Sequence, residues 1–110
     1  MADQGAAADA IGWIGQASAA TALVGSLADS YWQVRERAIQ NLGRLRVRNA
    51  VGVIVAFLDD ELPSLRKDAA AALGNIADPR ACDALAARAG DQDPDDRKTV
   101  VWALGQIGEG

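Results

Sequence analysis

Glycine recurs at a constant interval of 31 residues in this chain. It stands at Gly12, Gly43, Gly74 and Gly105, and the last three lie within the segments "NLGRL", "ALGNI" and "ALGQI". A glycine inside a helix costs about 1 kcal/mol relative to alanine. Four of them at one interval therefore indicate an internal repeat and not four separate substitutions.

Other positions keep the same interval. The apolar positions that do so are Ile11, Leu42, Leu73 and Leu104, then Ile14, Leu45, Ile76 and Ile107, and then Leu23, Ile54 and Leu85. The charged positions are Asp29, Asp60 and Asp91, followed six residues later by Arg35, Arg66 and Arg97. The repeats predicted from these columns span approximately residues 3–33, 34–64, 65–95 and a partial 96–110.

Within each repeat the apolar residues follow a helical spacing. Steps of three and four residues separate Ala38, Ile39, Leu42 and Leu45, which is typical of a helix with one buried face. The pattern predicts seven helices, at 5–15, 18–28, 31–46, 49–59, 64–77, 80–90 and 95–107. Asp78 before Pro79 predicts a helix start, and Ser30 with Gln33 predicts a capping box.

The pattern indicates one all-α domain over residues 1–110, with helix pairs stacked at about 3.5 repeats of 31 residues. In such a stack the first helix of each pair crosses its neighbours at a fixed point. A glycine at that point lets two backbones approach where a larger side chain would separate them. We therefore expect the recurring glycine to mark the crossing.

Three segments carry a family resemblance: "VRERAIQNLGRL", "LRKDAAAALGNIADPRACDAL" and "DRKTVVWALGQIG". They resemble the short HEAT-like repeat, the kind found in phycobilisome lyase subunits and in small bacterial and archaeal scaffold proteins. The resemblance implies a right-handed α-solenoid of antiparallel helix pairs. It also implies that the second helices line a concave face.

Composition argues against several classes of function. The formal net charge is −4, there is one cysteine, and there is no histidine. Without histidine the chain lacks Ser-His-Asp and Cys-His catalytic systems and most zinc or iron ligand sets, including the His-Glu motifs of HEAT-type hydroxylases. We therefore expect no enzyme activity, no cofactor and no metal. The single cysteine and the lack of a long apolar run predict a cytoplasmic protein with no membrane partner.

The concave face is the first candidate binding site. Its outward positions are predicted to include Asn49, Val53, Ala56, Phe57, Arg80, Asp83, Ala87 and Arg88. Val53 and Phe57 lie one helical turn apart and suggest an apolar contact with a partner protein or peptide. The alternative is that a small rotation of the helix turns one or both of them into the core.

Charged residues give a second candidate site. The arginine-rich stretch "RERAIQNLGRLRVRN" contains Arg37, Arg44, Arg46 and Arg48, which form either a patch for an anionic partner or ordinary solvated surface. The recurring aspartates and arginines, which begin with Asp29 and Arg35, have two possible roles. They form either a charged strip that recognises a partner or a structural ladder that holds the turns between repeats. Their recurrence in every repeat favours the ladder.

The ends of the chain depart from the repeat. Trp13 and Trp102 are expected on the surface near the two ends, and Leu104 and Ile107 belong to a helix with no predicted partner after it. Either the chain is part of a longer array, or copies associate through Trp13, Trp102, Leu104 and Ile107 as a homodimer or end to end. Cys82 shares its column with Ala20 and Val51 and is expected to be a small core residue.

The function that these observations favour is a non-catalytic protein-interaction scaffold. The resemblance leaves an alternative, an accessory subunit of a phycobilin lyase-type system that handles or modifies chromophores. Nucleic-acid binding through the arginines of the second repeat is a weaker alternative, since the net charge is negative and no aromatic residues alternate with the arginines.

Overall fold

The computed structural model describes residues 18–90 and 93–109, and within these ranges it contains helices and turns but no strand. Helix α1 covers residues 18–26. The first helices of the next three repeats are α2 (Trp32–Arg44), α4 (Pro63–Ile76) and α6 (Pro94–Glu109). The second helices are shorter: α3 (Val51–Val55) lies between the 3₁₀ turns Arg48–Ala50 and Ala56–Asp59, and α5 (Cys82–Ala86) follows the turn Pro79–Ala81.

The predicted helices agree with this order, apart from helix 5–15, which lies outside the described residues. The segments 49–59 and 80–90, each predicted as one helix, are a mixture of α and 3₁₀ turns. The start at Asp78 is confirmed, because its carboxylate accepts a hydrogen bond from the Arg80 N–H. The capping box at Ser30 is wrong. Helix α2 begins after Tyr31 without a side-chain cap, and Asp29 Oδ1 accepts the Tyr31 N–H instead, at 2.8 Å.

Helix α4 packs between α2 and α6, and the recurring glycines lie at both crossings. A Cβ on Gly43 would be 2.7 Å from both Cα and Cβ of Ala72. A Cβ on Gly74 would be 2.9 Å from Ala103 Cα and 2.6 Å from the Trp102 ring. Gly105, in α6, has nothing within 4 Å of that position. The expected role of the glycine is therefore confirmed at two of the repeat positions.

The core runs along the stack between first and second helices. Its largest buried side chains are Ile39, Leu42, Ile54, Leu65, Leu73 and Leu85. One apolar column is only partly buried: Ile76 is in the core, but Leu45 is 43% exposed. Leu45 follows the last residue of α2, whereas Ile76 is the last residue of α4.

Two pairs from the aspartate and arginine columns form a structural ladder, as expected, while Asp91 lies outside the described residues. Arg35 Nη1 donates to the Asp29 carbonyl at 2.8 Å, and Arg66 Nη1 donates to the Asp60 carbonyl at 2.9 Å. Each arginine thereby holds the turn that precedes its own helix. Arg66 also pairs through Nε with the buried carboxylate of Asp96 at 2.8 Å, which joins α4 to α6.

The turns after α2 and α4 have the same backbone conformation. Arg46 and Ala77 stand at equivalent positions, 31 residues apart, and have φ angles of 54° and 56°. This left-handed conformation ends a helix and is usually occupied by glycine. The 31-residue repeat of the sequence is therefore matched by a repeat of backbone conformation.

Candidate functional site

The second helices leave a continuous set of side chains exposed. We define the second-helix surface as Asn49, Val53, Ala56, Arg80, Asp83 and Ala87, all exposed. Val53 is 42% exposed and supplies the apolar part of this surface. The alanines at 56 and 87 occupy equivalent positions in successive repeats, and both are exposed.

The two remaining residues predicted on this face are placed differently. Phe57 is half-buried and packs against the core, so the prediction of an outward side chain is wrong for Phe57 and correct for Val53. Arg88 is also half-buried, and its guanidinium forms an ion pair with the Asp59 carboxylate of the preceding repeat. Arg88 therefore joins two second helices.

Arg80 is exposed, but its charge is neutralised locally. Its Nη2 donates to Asp78 Oδ2 at 2.8 Å and to the Arg48 carbonyl at 3.1 Å. The hydrogen bonds from the Arg80 side chain and backbone lower the pKa of Asp78 to about 2. The pair therefore stays ionised at neutral pH, and it ties the start of one second helix to the start of the preceding one.

The four arginines of the predicted anionic-partner patch do not come together. Arg37 lines a cavity of about 410 Å³ between α1 and α2. Arg44 is on the surface, with Nη2 3.1 Å from Asn41 Oδ1. Only Arg46 and Arg48 share a site, a pocket of about 570 Å³ at the edge of the stack where first helices end.

This pocket, which we call the turn pocket, combines residues from three repeats. Arg46 and Arg48 come from the turn after α2, Asn75, Ala77 and Pro79 from the end of α4 and its turn, and Gln106 from α6. Sequence reasoning missed the two amides. A signal was present, because the residue after each recurring glycine is polar in the last three repeats: Arg44, Asn75 and Gln106.

The predicted end-interface residues have different surroundings. Trp102 is 44% exposed, and one edge of its ring lies over Gly74. Leu104 is half-buried against the core. Ile107 is 6% exposed and belongs to the core, so the expectation that it lacks cover is wrong; its helix, α6, packs against α4. Trp13 lies outside the described residues, and association through the ends stays a prediction.

A pair of acidic side chains lies between α2 and α4. Gln40 Nε2 donates to Asp68 Oδ2 at 3.2 Å, and Glu36 faces the same carboxyl group. Partial burial, followed by the hydrogen bond and charge of Glu36, raises the pKa of Asp68 to about 6. No pocket described above includes either residue, so the pair is a feature of the helix packing.

Two further features bear on the predicted site chemistry. Cys82 is half-buried and packs against the core, as its column predicts. Among residues 18–90 and 93–109, no three acidic or cysteine side chains come together as metal ligands would. The helices in the same ranges include none with the length and apolar character needed to cross a membrane.

Helix pairs stacked in one direction, with glycine crossings between successive first helices, define an all-α solenoid. The family described as HEAT repeats matches residues 26–105, and the chain belongs to this family. The structure is similar to that of human deoxyhypusine hydroxylase in complex with glycerol, with a TM-score of 0.76 and 32% sequence identity. The match covers 83% of this chain and 32% of that one, so the chain spans about a third of the hydroxylase. A comparison with curated proteins finds no match.

Proposed function

We propose that this chain is a non-catalytic scaffold that binds a partner protein through the second-helix surface. The observation that carries the proposal is the exposed apolar side chain of Val53, together with exposed alanines at the equivalent positions 56 and 87 of two repeats and the charged residues Arg80 and Asp83 of the second. Solenoid repeats present extended surfaces of this kind to their partners. An apolar centre with a polar rim is the usual composition of a protein interface.

The charges on this surface support recognition of a protein. Asp83 is exposed on α5, while Arg80 and Arg88 are each paired with an aspartate. The surface therefore offers one apolar contact and a limited number of directional polar contacts. It has no run of unpaired cations of the kind that binds a nucleic-acid backbone.

The test compares two exposed valines. We immobilise the wild-type chain, the Val53→Glu variant and the Val101→Glu variant, and identify captured proteins by quantitative mass spectrometry. Val101 is 59% exposed and lies in α6, a first helix, so it is a matched control. We expect a protein that wild type and Val101→Glu both capture and that Val53→Glu loses.

Circular dichroism first establishes that both variants keep their helices and melting temperature. Val53 is 42% exposed and belongs neither to the buried core nor to the side chains packed against it, so the fold is expected to persist. If Val53→Glu captures the same proteins in the same amounts as wild type, or if wild type captures none, the second-helix surface is not the binding site.

A further inference from the structure

The turn pocket contains two arginines, Arg46 and Arg48, that form no ion pair with any residue that the structure describes, although the charge of Arg48 contributes to the low pKa of Asp78. Among residues 18–90 and 93–109, the guanidinium groups of Arg46 and Arg48 have no ion-pair or hydrogen-bond partner. Other arginines are held: Arg35 by a carbonyl, Arg66 by Asp96 and Arg80 by Asp78. In a chain of net charge −4, two unpaired arginines at one pocket form a local positive site.

The other groups at the pocket favour a peptide over a bare anion. Asn75 and Ile76 end α4, where the last carbonyls of a helix lack partners within it. These carbonyls can accept hydrogen bonds from backbone N–H groups, which a peptide offers and a bare anion does not. The side-chain amides of Asn75 and Gln106 both donate and accept hydrogen bonds, which suits the alternating groups of a peptide backbone.

We propose that the turn pocket binds an acidic peptide segment of a partner protein. Carboxylates of the segment pair with Arg46 and Arg48, and its backbone bonds to the amides of Asn75 and Gln106. This inference rests on the proposed function in one respect, namely that the partner is a protein. The pocket lies at the ends of the first helices and is separate from the position of Val53.

The backbone at Arg46 provides a variant that separates binding from folding. Its φ of 54° is unfavourable for a residue with a Cβ and suits glycine. Arg46→Gly therefore removes a guanidinium and relieves the backbone at the same time. Loss of binding in a variant whose melting temperature is equal or higher cannot be attributed to unfolding.

The experiment measures fluorescence anisotropy with a fluorescein-labelled octaglutamate peptide. The variants are Arg46→Gly and Arg48→Gln, and the matched control is Arg37→Gln, since Arg37 also lacks a partner among the described residues but lines a different cavity. Each charge-assisted contact contributes about tenfold in affinity. We therefore expect Kd to rise about tenfold in each pocket variant and to change less than twofold in Arg37→Gln.

Three results would overturn the proposal. The first is that the wild-type chain fails to bind the peptide. The second is that Arg37→Gln weakens binding as much as Arg48→Gln does, which would indicate that the peptide is attracted only by the overall charge. In the third, inorganic phosphate or a single-stranded oligonucleotide displaces the peptide at lower concentration than unlabelled octaglutamate does.

The Val53→Glu variant keeps this proposal distinguishable from the proposed function. It should bind octaglutamate with wild-type affinity. If the peptide fails to bind while Val53→Glu still loses a captured protein, only the pocket assignment is wrong. If the peptide binds through Arg46 and Arg48 while Val53→Glu loses nothing, only the second-helix surface is wrong.

Discussion

Gly43 and Ala72 lie so close together that a methyl group on residue 43 would come within 2.7 Å of both Cα and Cβ of Ala72. Carbon atoms in contact are normally about 3.5–4 Å apart. Helices α2 and α4 therefore touch at their backbones, and no residue larger than glycine fits at this crossing without moving one helix. The low helix propensity of glycine is offset by this close packing.

The first prediction compares two glycines of the same column. Gly43→Ala should lower the free energy of unfolding by about 1–3 kcal/mol, because the new methyl group overpacks the crossing. Gly105→Ala should raise it by about 1 kcal/mol, because Gly105 is helical with open space at its Cβ position. Urea unfolding followed by circular dichroism measures both. A stabilising Gly43→Ala would show that the contact with Ala72 is not tight.

The second prediction concerns the ladder arginines. Arg35 and Arg66 hold equivalent turns, but only Arg66 also pairs with the buried carboxylate of Asp96. Arg66→Ala should therefore cost about 1–3 kcal/mol more unfolding free energy than Arg35→Ala, since it leaves a buried charge without that partner. Thermal unfolding of the two variants side by side checks this. Equal losses would mean that the Asp96 pair contributes nothing.

The third prediction is a dependence of stability on pH. The pKa of Asp68 is about 6 in the folded chain, above the value of about 4 for an unfolded aspartate. Between these values the folded state binds more protons, so the free energy of unfolding falls as pH rises from 4 to 6. Asp68→Asn should remove this slope and raise stability at pH 7 by about 1 kcal/mol, a figure reduced for solvent screening.

Asp83→Asn serves as the control for that measurement, because Asp83 is an exposed aspartate on a different helix. Urea unfolding at several pH values between 4 and 7 measures how the free energy of unfolding changes with pH. Asp83→Asn should show the same change as wild type. If Asp68→Asn keeps the wild-type slope as well, the carboxyl pair of Glu36 and Asp68 is not its source.

The fourth prediction uses the left-handed turn after α4. Ala77 has a φ of 56°, which costs a residue with a Cβ about 1–2 kcal/mol. Ala77→Gly should raise the free energy of unfolding by about 0.5–1 kcal/mol, after allowance for the greater freedom of glycine in the unfolded chain. Ala71→Gly, inside the right-handed part of α4, should lower it by about 1 kcal/mol. Thermal unfolding checks this, because the melting temperature of Ala77→Gly should lie above that of wild type and the melting temperature of Ala71→Gly should lie below it.

The architecture could be predicted from the sequence because its main contacts are repeated. The glycine at the crossings and the arginine at the turns make the same contact in successive units, so each left a visible column. The missed start of α2 has a local cause. Asp29 forms its hydrogen bond two residues ahead, outside the spacing that a capping box requires.

The candidate sites were harder to predict because a small rotation of a helix decides which of its side chains are exposed. Arg46 and Arg48 follow the end of α2 and line a shared pocket, whereas Arg37 lines a different cavity, between α1 and α2. Val53 and Phe57 are four residues apart, but the second helix changes from α to 3₁₀ at Ala56 and Phe57 turns inward. No residue type in the sequence marks that change.

Among the side chains that recur every 31 residues are the glycines at the crossings and the arginines at the turns, whereas the exposed residues Val53 and Asp83 do not recur. Substitutions at these exposed positions leave the glycine crossings and the arginine clamps intact. A unit can therefore diversify its outward chemistry over many generations of mutation at little cost in folding, while adjoining units retain theirs.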